Sequence, residues 1–522
     1  MNSDKTSNKA GKISRRDLLA GLASLPVLGL LGYGLVHHLT ERKRHNVNLL
    51  DNTDSIIPKG IPPVVAGETM RIGIVGCGSR GHYLLKALGF LHPDRIDEYR
   101  QRARNDKFWK DYLDEFLSQD NLNVRITAVC DVFDKNAKRA LEIGANIYRS
   151  GNEEAMDSVP QRYLTYHELV AAADVDAIIV ATPDHLHVPI ALEAAKHGKH
   201  VYCEKPLSWT VAETFEIRKV VKNTGIVFQL GHQGRQTESY HIAKSLINKQ
   251  VTGKISLLEV CTNRNDPNGA WVYDIDPDAN EQTIDWKQFI GPAPWHEFSL
   301  ERFFRWRCWW DYSTGLSGDL FTHEYDALNQ ILDLGIPNSA VASGGIYFFN
   351  DGRTVPDVLN MAFEYPEKKL TLLYSATLAS EKKRGKVIMG HDAYIELDET
   401  LLVIADPKST RYKEKIEQGI IEPHKPIFSY VPGQDRVDAI TAPTEKYFAS
   451  RGLLYTYRDG KTVDTTHLHL REWLNCIRLN NGTQPSCDID RAFEEAITAH
   501  MGTVAYLEGR RTYWDSVNEK IY

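Results

Sequence analysis

The stretch Met70–Leu91 reads MRIGIVGCGSRGHYLLKALGFL, an apolar run that breaks into glycines and resumes with a helical pattern. Ile72, Ile74 and Val75 are branched residues suited to a buried parallel strand, and Leu84, Leu85, Leu88 and Leu91 recur at helical spacing. Between them stand Gly76, Cys77, Gly78, Ser79, Arg80 and Gly81. Gly76 permits a sharp turn, Gly78 lets backbone approach a pyrophosphate, and Gly81 lets strand and helix pack closely, with Ser79 and Arg80 at the helix N-terminus where phosphates bind. An ordinary Gly-rich turn fits the same letters. Placement between a strand and a helix makes this the first unit of a dinucleotide-binding domain.

A chain of 522 residues has room for two domains, and a net charge of −7 with the signs interspersed offers no nucleic-acid surface. The seven cysteines are scattered and never in C-x-x-C spacing, so they support neither a disulfide framework nor a zinc site, and no metal is expected. Residues 1–44 are not fold. Ser14-Arg15-Arg16-Asp17-Leu18-Leu19 leads into an uncharged, largely apolar run to Val36, which is the pattern of a twin-arginine export signal. It lacks an A-x-A cleavage site and is followed by Arg42-Lys43-Arg44, so a retained inner-membrane anchor is an alternative to cleavage. A periplasmic location follows. Residues 45–68, with Pro58, Pro62 and Pro63, form an extended linker.

The nucleotide domain is expected over 69–233. A helical insertion (Pro93 to Gln119) precedes the second strand, Val124–Cys130, which Asp131 ends. A carboxylate there accepts both ribose hydroxyls of the adenosine and repels a 2′-phosphate, favouring NAD over NADP; a helix N-cap fits the same position. Val175–Ala181 is another strand, followed by Thr182-Pro183-Asp184-His185-Leu186-His187, a helix, and then Val201-Tyr202-Cys203-Glu204-Lys205-Pro206. Gly225–Gly231 is the last strand, with His232, Gln233 and Arg235 emerging at its ligand-facing end.

Strand, T-P-x-x-x-H, helix, strand and E-K-P, in that order after the glycine loop, resemble the glucose-fructose oxidoreductase and inositol dehydrogenase family (Gfo/Idh/MocA) from Met70 to the C-terminus. The resemblance implies an α/β chain: a doubly wound parallel Rossmann sheet followed, over 234–522, by an α+β domain with a large, mostly antiparallel sheet. That sheet would carry substrate and join copies into a homo-oligomer. It implies that Thr182, Pro183, His187 and Glu204 flank the cofactor, that Lys205 lies beside nicotinamide and substrate with a cis bond to Pro206, and that Arg235 and Tyr240 lie near the active site. Gly318-Asp319-Leu320-Phe321-Thr322-His323-Glu324-Tyr325-Asp326 matches the family's D-x-x-x-H-x-x-D helix, on which spacing puts Asp319 and His323 on one face. By the resemblance His323 accepts the proton and Asp319 is its neighbour. Without the other motifs, an Asp–His pair at this spacing reads as a stabilised surface helix.

The aromatic run Phe304–Tyr312, including Trp310 and Tyr312, suits a sugar site in which flat rings take the C–H faces and Arg and Asp the hydroxyls; core packing is the plain alternative. From Ala340 to about Ala405 apolar and polar residues alternate in short runs, the antiparallel sheet, whereas 408–465 is less patterned and reads as an insertion. Leu468–Leu479 and Asp488–Arg510 are helical.

The leading expectation is an oxidoreductase that moves a hydride from a sugar or polyol hydroxyl to tightly bound NAD, with Lys205 and His323 as candidate bases and His323 preferred. His232, Arg235, Trp310 and Tyr312 are the expected substrate contacts. Some exported relatives are redox-neutral NAD-dependent glycosidases, which oxidise, eliminate, add water and reduce again. A non-catalytic sugar-binding protein is the third reading, disfavoured because Lys205, Asp319 and His323 are all present.

Overall fold

The computed structural model describes residues 62–522, apart from 150–151, 156–158, 267–268, 383, 398–399, 431–454 and 459–460. The export segment expected over 1–44 and most of the linker lie outside the described residues.

The first apolar run forms β1 (Met70–Val75), whose Ile72 and Ile74 are wholly enclosed. Its neighbours are β2 (Val124–Cys130), β3 (Gln161–Arg162), β4 (Ala177–Val180), β5 (His200–Cys203) and β6 (Phe228–Leu230), all parallel, in the order β3-β2-β1-β4-β5-β6. That is the order of a doubly wound dinucleotide sheet, in which the chain reverses direction between β1 and β4 and ligands bind beyond the carboxyl ends of the strands. The loops after β1, β2, β4, β5 and β6 all open there. They carry Gly76–Gly81, Asp131, Thr182–His187, Glu204–Pro206 and His232–Arg235.

The insertion folds as two helices, Pro93–Ala103 and Lys107–Leu117, started by His92 and Asp106 as caps. The linker's last residues do not cover the crevice. Val65 donates to Asn475 Oδ1 at 2.9 Å, and Pro63 accepts from Asn475 Nδ2 at 3.1 Å, which ties them to the helix Thr465–Leu479. That helix lies against the nucleotide domain, where Leu470, Trp473 and Leu474 share a core with Ile72, Ile74 and Tyr202. A segment counted with the C-terminal domain thus completes the first one.

The second sheet holds β7 (Ile255–Asn263), β8 (Ser339–Gly345), β9 (Val358–Tyr365), β10 (Leu370–Thr377), β11 (Lys386–Gly390), β12 (Ala393–Leu397), β13 (Leu401–Ala405), β14 (Pro426–Tyr430), β15 (Thr512–Asp515) and β16 (Lys520–Ile521). Its order is β14-β13-β12-β11-β7-β10-β9-β8-β15-β16, antiparallel except for the β7–β10 pair. Burial alternates along β9, so one face is covered. The covering helices are Thr322–Leu332 and Ile489–Glu508: Leu328, Ile497 and Met501 share a core with Met361 and Phe363. β14 lies inside the expected insertion, and its register with β13 makes that part of the insertion an edge strand of the sheet. The rest of 408–465 includes a hairpin, Tyr455–Arg458 with Lys461–Asp464, and residues outside the described set.

Candidate active site

The glycine loop has the geometry its letters require. Gly76 has φ +88°, and a Cβ there would lie 2.6 Å from the Ala181 carbonyl. A Cβ on Gly81 would lie 2.3 Å from the Gly76 oxygen, whereas one on Gly78 would meet nothing within 4 Å. Gly78 therefore faces open space at the N-terminus of the helix Ser79–Leu88, where Ser79 is exposed. Thr182 Oγ1 and Gln233 Nε2 are buried there without a partner among the described residues. An open cradle, a helix N-terminus and orphaned polar atoms fit a dinucleotide pyrophosphate and its neighbouring groups.

Arg80 Nε donates to Glu204 Oε1 at 2.8 Å and Nη2 to Gln233 Oε1 at 3.2 Å, joining the loops after β1, β5 and β6. Pro183 caps the helix Asp184–Lys196. The His187 nitrogens meet Thr182 O at 2.9 Å and Pro206 O at 2.7 Å, so this histidine fastens the T-P loop to the E-K-P turn. The Lys205–Pro206 bond is cis.

Lys205 Nζ donates to the Asp319 carbonyl and to Asp319 Oδ1, both at 2.8 Å, and both side chains are buried. Arg307 Nε approaches the same Oδ1 at 3.4 Å. Burial would push the Asp319 carboxyl up, but Lys205 and then Arg307 hold it well below the usual carboxylate range. Asp319 sits in a π-helical turn, Ser317–Phe321, that runs into the helix Thr322–Leu332. Spacing alone called for a regular helix; π turns widen the backbone ring and recur at functional sites. Burial, and after it Lys205, His232, Arg264 and Arg80, push His323 well below the ordinary histidine range. It is neutral at pH 7. Tyr273, pushed up to about 12 by burial, feels the charges of Arg307, Asp319 and Arg264.

His232 stands edge-on to His323, ring centroids 5.2 Å apart, and its Nε2 lies 2.5 Å from Glu495 Oε2. Arg235 donates to Asp326 Oδ1 from Nε at 2.8 Å and from Nη2 at 2.5 Å, and to Ser486 O at 2.6 Å. It is thereby committed to holding its loop on the helix Thr322–Leu332. Tyr312 is fully buried between His185 and Phe289, at 5.2 and 5.1 Å, and the Trp310 ring lies where a Gly315 side chain would be, its carbonyl taking Trp209 Nε1 at 2.8 Å. Of the four expected substrate contacts, only His232 touches the Lys205–Asp319–His323 group. The other three have framework partners.

At the adenosine end, Asp131 Oδ2 accepts from Cys77 N at 2.5 Å and Oδ1 from Phe133 N at 2.8 Å, so the carboxylate steadies the glycine loop as well as marking the strand end. It does not cap the next helix, whose N-cap is Phe133. Burial pushes it up to about 6, against those hydrogen bonds. A strap from the second domain crosses this end. Asp134 N donates to Thr283 O at 3.0 Å, Asp285 N to Val132 O at 2.8 Å, and Lys135 pairs with Asp276 and Asp278. A cleft of about 600 Å³ lies between Asp131, Arg162 and the strap's Glu281 to Trp286.

Several of these contacts had little sequence signal. Asp184, which accepts from Thr314 N and Oγ1 at 2.9 and 2.7 Å, stands inside the T-P-x-x-x-H motif, and Arg307 inside the aromatic run. Glu495 is the buried one of two adjacent carboxylates, Glu494 and Glu495, among Ala492, Phe493, Ala496 and Ile497, and the letters do not tell which is buried or name its partner.

Residues 70–232 match the model of the GFO_IDH_MocA oxidoreductase family, described as an NAD-binding Rossmann fold. These residues form an NAD-binding Rossmann domain of that family's type. The chain is 28% identical over 234 residues to an uncharacterized oxidoreductase of Streptococcus pneumoniae, covering 44% of this chain and 54% of that protein. It is 27% identical over 236 residues to the 2,7-anhydro-N-acetylneuraminate hydratase of Escherichia coli, covering 44% and 53%. The chain thus spans about half the length of these relatives. Among solved structures, a levoglucosan dehydrogenase in complex with NADH and L-sorbose matches with a TM-score of 0.55 at 16% identity, over 85% of this chain and 98% of that one. The chain therefore shares the fold of that solved structure across both domains.

Proposed function

We propose that the protein is an NAD-dependent oxidoreductase acting on a hydroxyl of a sugar or polyol. The observation that carries this is the Lys205–Asp319 contact at 2.8 Å, with neutral His323 one helical turn on, beyond the carboxyl ends of a sheet whose glycine loop is open at Gly78. Bound nicotinamide supplies the hydride acceptor. Lys205 Nζ, placed by two oxygens of Asp319, donates to the substrate oxygen and stabilises the charge that develops there. His323, kept neutral, takes the hydroxyl proton. Asp319, held ionised, orients Lys205. Reduction of bound cofactor by a panel of sugars, followed at 340 nm in wild type and His323→Ala, tests the assignment.

A redox-neutral reaction on the same scaffold is the second reading, favoured by the likeness to an anhydrosugar hydratase. It needs one more acid/base, and Tyr273, within the electrostatic reach of Asp319 and Arg307, is a phenol of the right kind. In either reading the acidic strap at the adenosine end favours NAD over NADP and slow cofactor loss. Export by the twin-arginine route, inner-membrane anchoring through residues 1–44 and association of copies through the second sheet complete the proposal. The export pattern in the sequence supports the first two, and the resemblance supports the third.

A further inference from the structure

The buried pair behind His323 bears on how that histidine is kept ready, given the reading of His323 as proton acceptor. His232 ends the last strand of the nucleotide domain, and Glu495 lies midway along the helix Ile489–Glu508. Nε2 and Oε2 are 2.5 Å apart and each side chain is 1% exposed. Burial pushes the Glu495 carboxyl up and His232 pulls it back down, so Glu495 keeps its charge there only through a cation at this distance. Arg235, the nearby guanidinium, already spends two donors on Asp326. The His232 ring then meets His323 edge-on, at 5.2 Å and 89°.

We propose that Glu495 keeps His232 protonated, and that this fixed imidazolium, set against His323, holds His323 in its neutral, proton-accepting form. His232 and Glu495 are positioning residues in this scheme. His323 also faces Lys205, Arg264 and Arg80, all cationic, with Asp319 engaged by Lys205. Against the cost of burial, Glu495 and Asp326 hold His232 above the ordinary range, while Arg235 opposes them. His469, on the helix Thr465–Leu479, is driven neutral by burial and by His232, Arg235 and Arg80. Two adjoining histidines are thus kept uncharged around one that is charged.

Removing the carboxylate's charge lets His232 lose its proton. The cation next to His323 disappears, His323 becomes more basic, and the acid limb of activity moves to higher pH. Glu495→Gln keeps the shape and a hydrogen-bond acceptor, and Glu495→Asp keeps the charge. In the purified full chain with labelled histidines, nitrogen NMR should show His232 as an imidazolium still at pH 8 in the wild type and in Glu495→Asp, but neutral in Glu495→Gln. The acid limb of kcat should rise in Glu495→Gln by about one pH unit or more, the scale of a unit charge some 5 Å away in a protein interior. His232→Asn, which deletes the cation, carries the same expectation should Glu495→Gln fail to fold. A neutral His232 at pH 8 in the wild type, or a Glu495→Gln profile superimposable on the wild type, overturns the proposal. A wild type that oxidises no sugar overturns the reading of the site instead, and the NMR signature still decides the pair.

Discussion

Lys205 Nζ lies 2.8 Å from two oxygens of one residue, the carbonyl and Oδ1 of Asp319. The lysine comes from the loop after β5 and the aspartate from a π turn in the second domain, so the contact is also a bond between domains. With Nζ already donating to both Asp319 oxygens, Lys205 is placed as a hydrogen-bond donor, and the proposed base is His323.

Lys205→Ala and His323→Ala should each lower turnover by two to four orders of magnitude while leaving bound NAD in place, since the residues act on the reacting hydroxyl. Lys205→Ala has a second effect. It takes from buried Asp319 its hydrogen-bonded cation and leaves the more distant Arg307 and Arg264, and breaking a buried pair costs about 3–5 kcal/mol, so its denaturation midpoint should fall further than that of His323→Ala. Single-turnover rates and denaturant midpoints check both. Near-normal turnover in His323→Ala would make the helix pair structural.

Asp131→Asn should weaken NAD roughly 10–100-fold and lower the preference over NADP, because charge-assisted hydrogen bonds to the ribose are lost. The isostere keeps an acceptor toward Cys77 N, so the glycine loop stays in place. Calorimetric titration with the two cofactors is the measurement. Equal wild-type affinities would sink the ribose assignment.

Ile284 is the buried residue of the strap, packed in a cluster with Phe133. Ile284→Asp puts a charge there and should lift the strap, so that cofactor retained by the wild type through an hour of gel filtration is shed by the variant. Retention on that scale needs dissociation slower than roughly 10⁻⁴ per second. Full retention by the variant would show that the strap does not govern release.

Three buried histidines set a pH dependence of stability. Burial pushes His185 and His500 down to about 4 and His467 to about 3, while the unfolded chain protonates them near the ordinary value. Their folded values are lowered, so their contribution is present above about pH 6.5 and is lost as pH falls through 6.5 toward 4, at about 2 kcal/mol per group by pH 5. Asp131, raised to about 6, works in the opposite direction over part of that window. Urea midpoints should be lower at pH 5 than at pH 7.5, and His500→Gln should recover part of the loss. An unchanged midpoint would contradict the burial of these rings as neutral groups.

The nucleotide sheet was legible because five of its six strands are short apolar runs and its loops carry residues that only one geometry explains, as at Gly76 and Gly81. β3 escaped because two residues, Gln161 and Arg162, leave no periodic trace. Lys205, Asp319 and His323 were visible through motif spacing, but the π turn at Ser317–Phe321 was not, since nothing in those letters departs from a helix pattern. Arg235, Trp310 and Tyr312 show the converse, framework partners that local pattern does not reveal. Their chemistry suited a sugar, yet a buried Asp326, a Gly315 hollow and the His185–Phe289 stack claim them first. Glu495 and the strap were hidden for one reason: long-range pairs do not appear in local pattern.

If this site passes a sugar hydride to a cofactor the protein already holds, with His323 as base, column-purified protein with no NAD added should reduce that cofactor when mixed with a panel of sugars and read at 340 nm. The wild type should give a rise approaching one equivalent of reduced cofactor per chain with at least one sugar, and His323→Ala that still releases NAD on denaturation should give none. Protein that emerges without NAD and gives no 340 nm signal with any sugar even in millimolar NAD would contradict this reading.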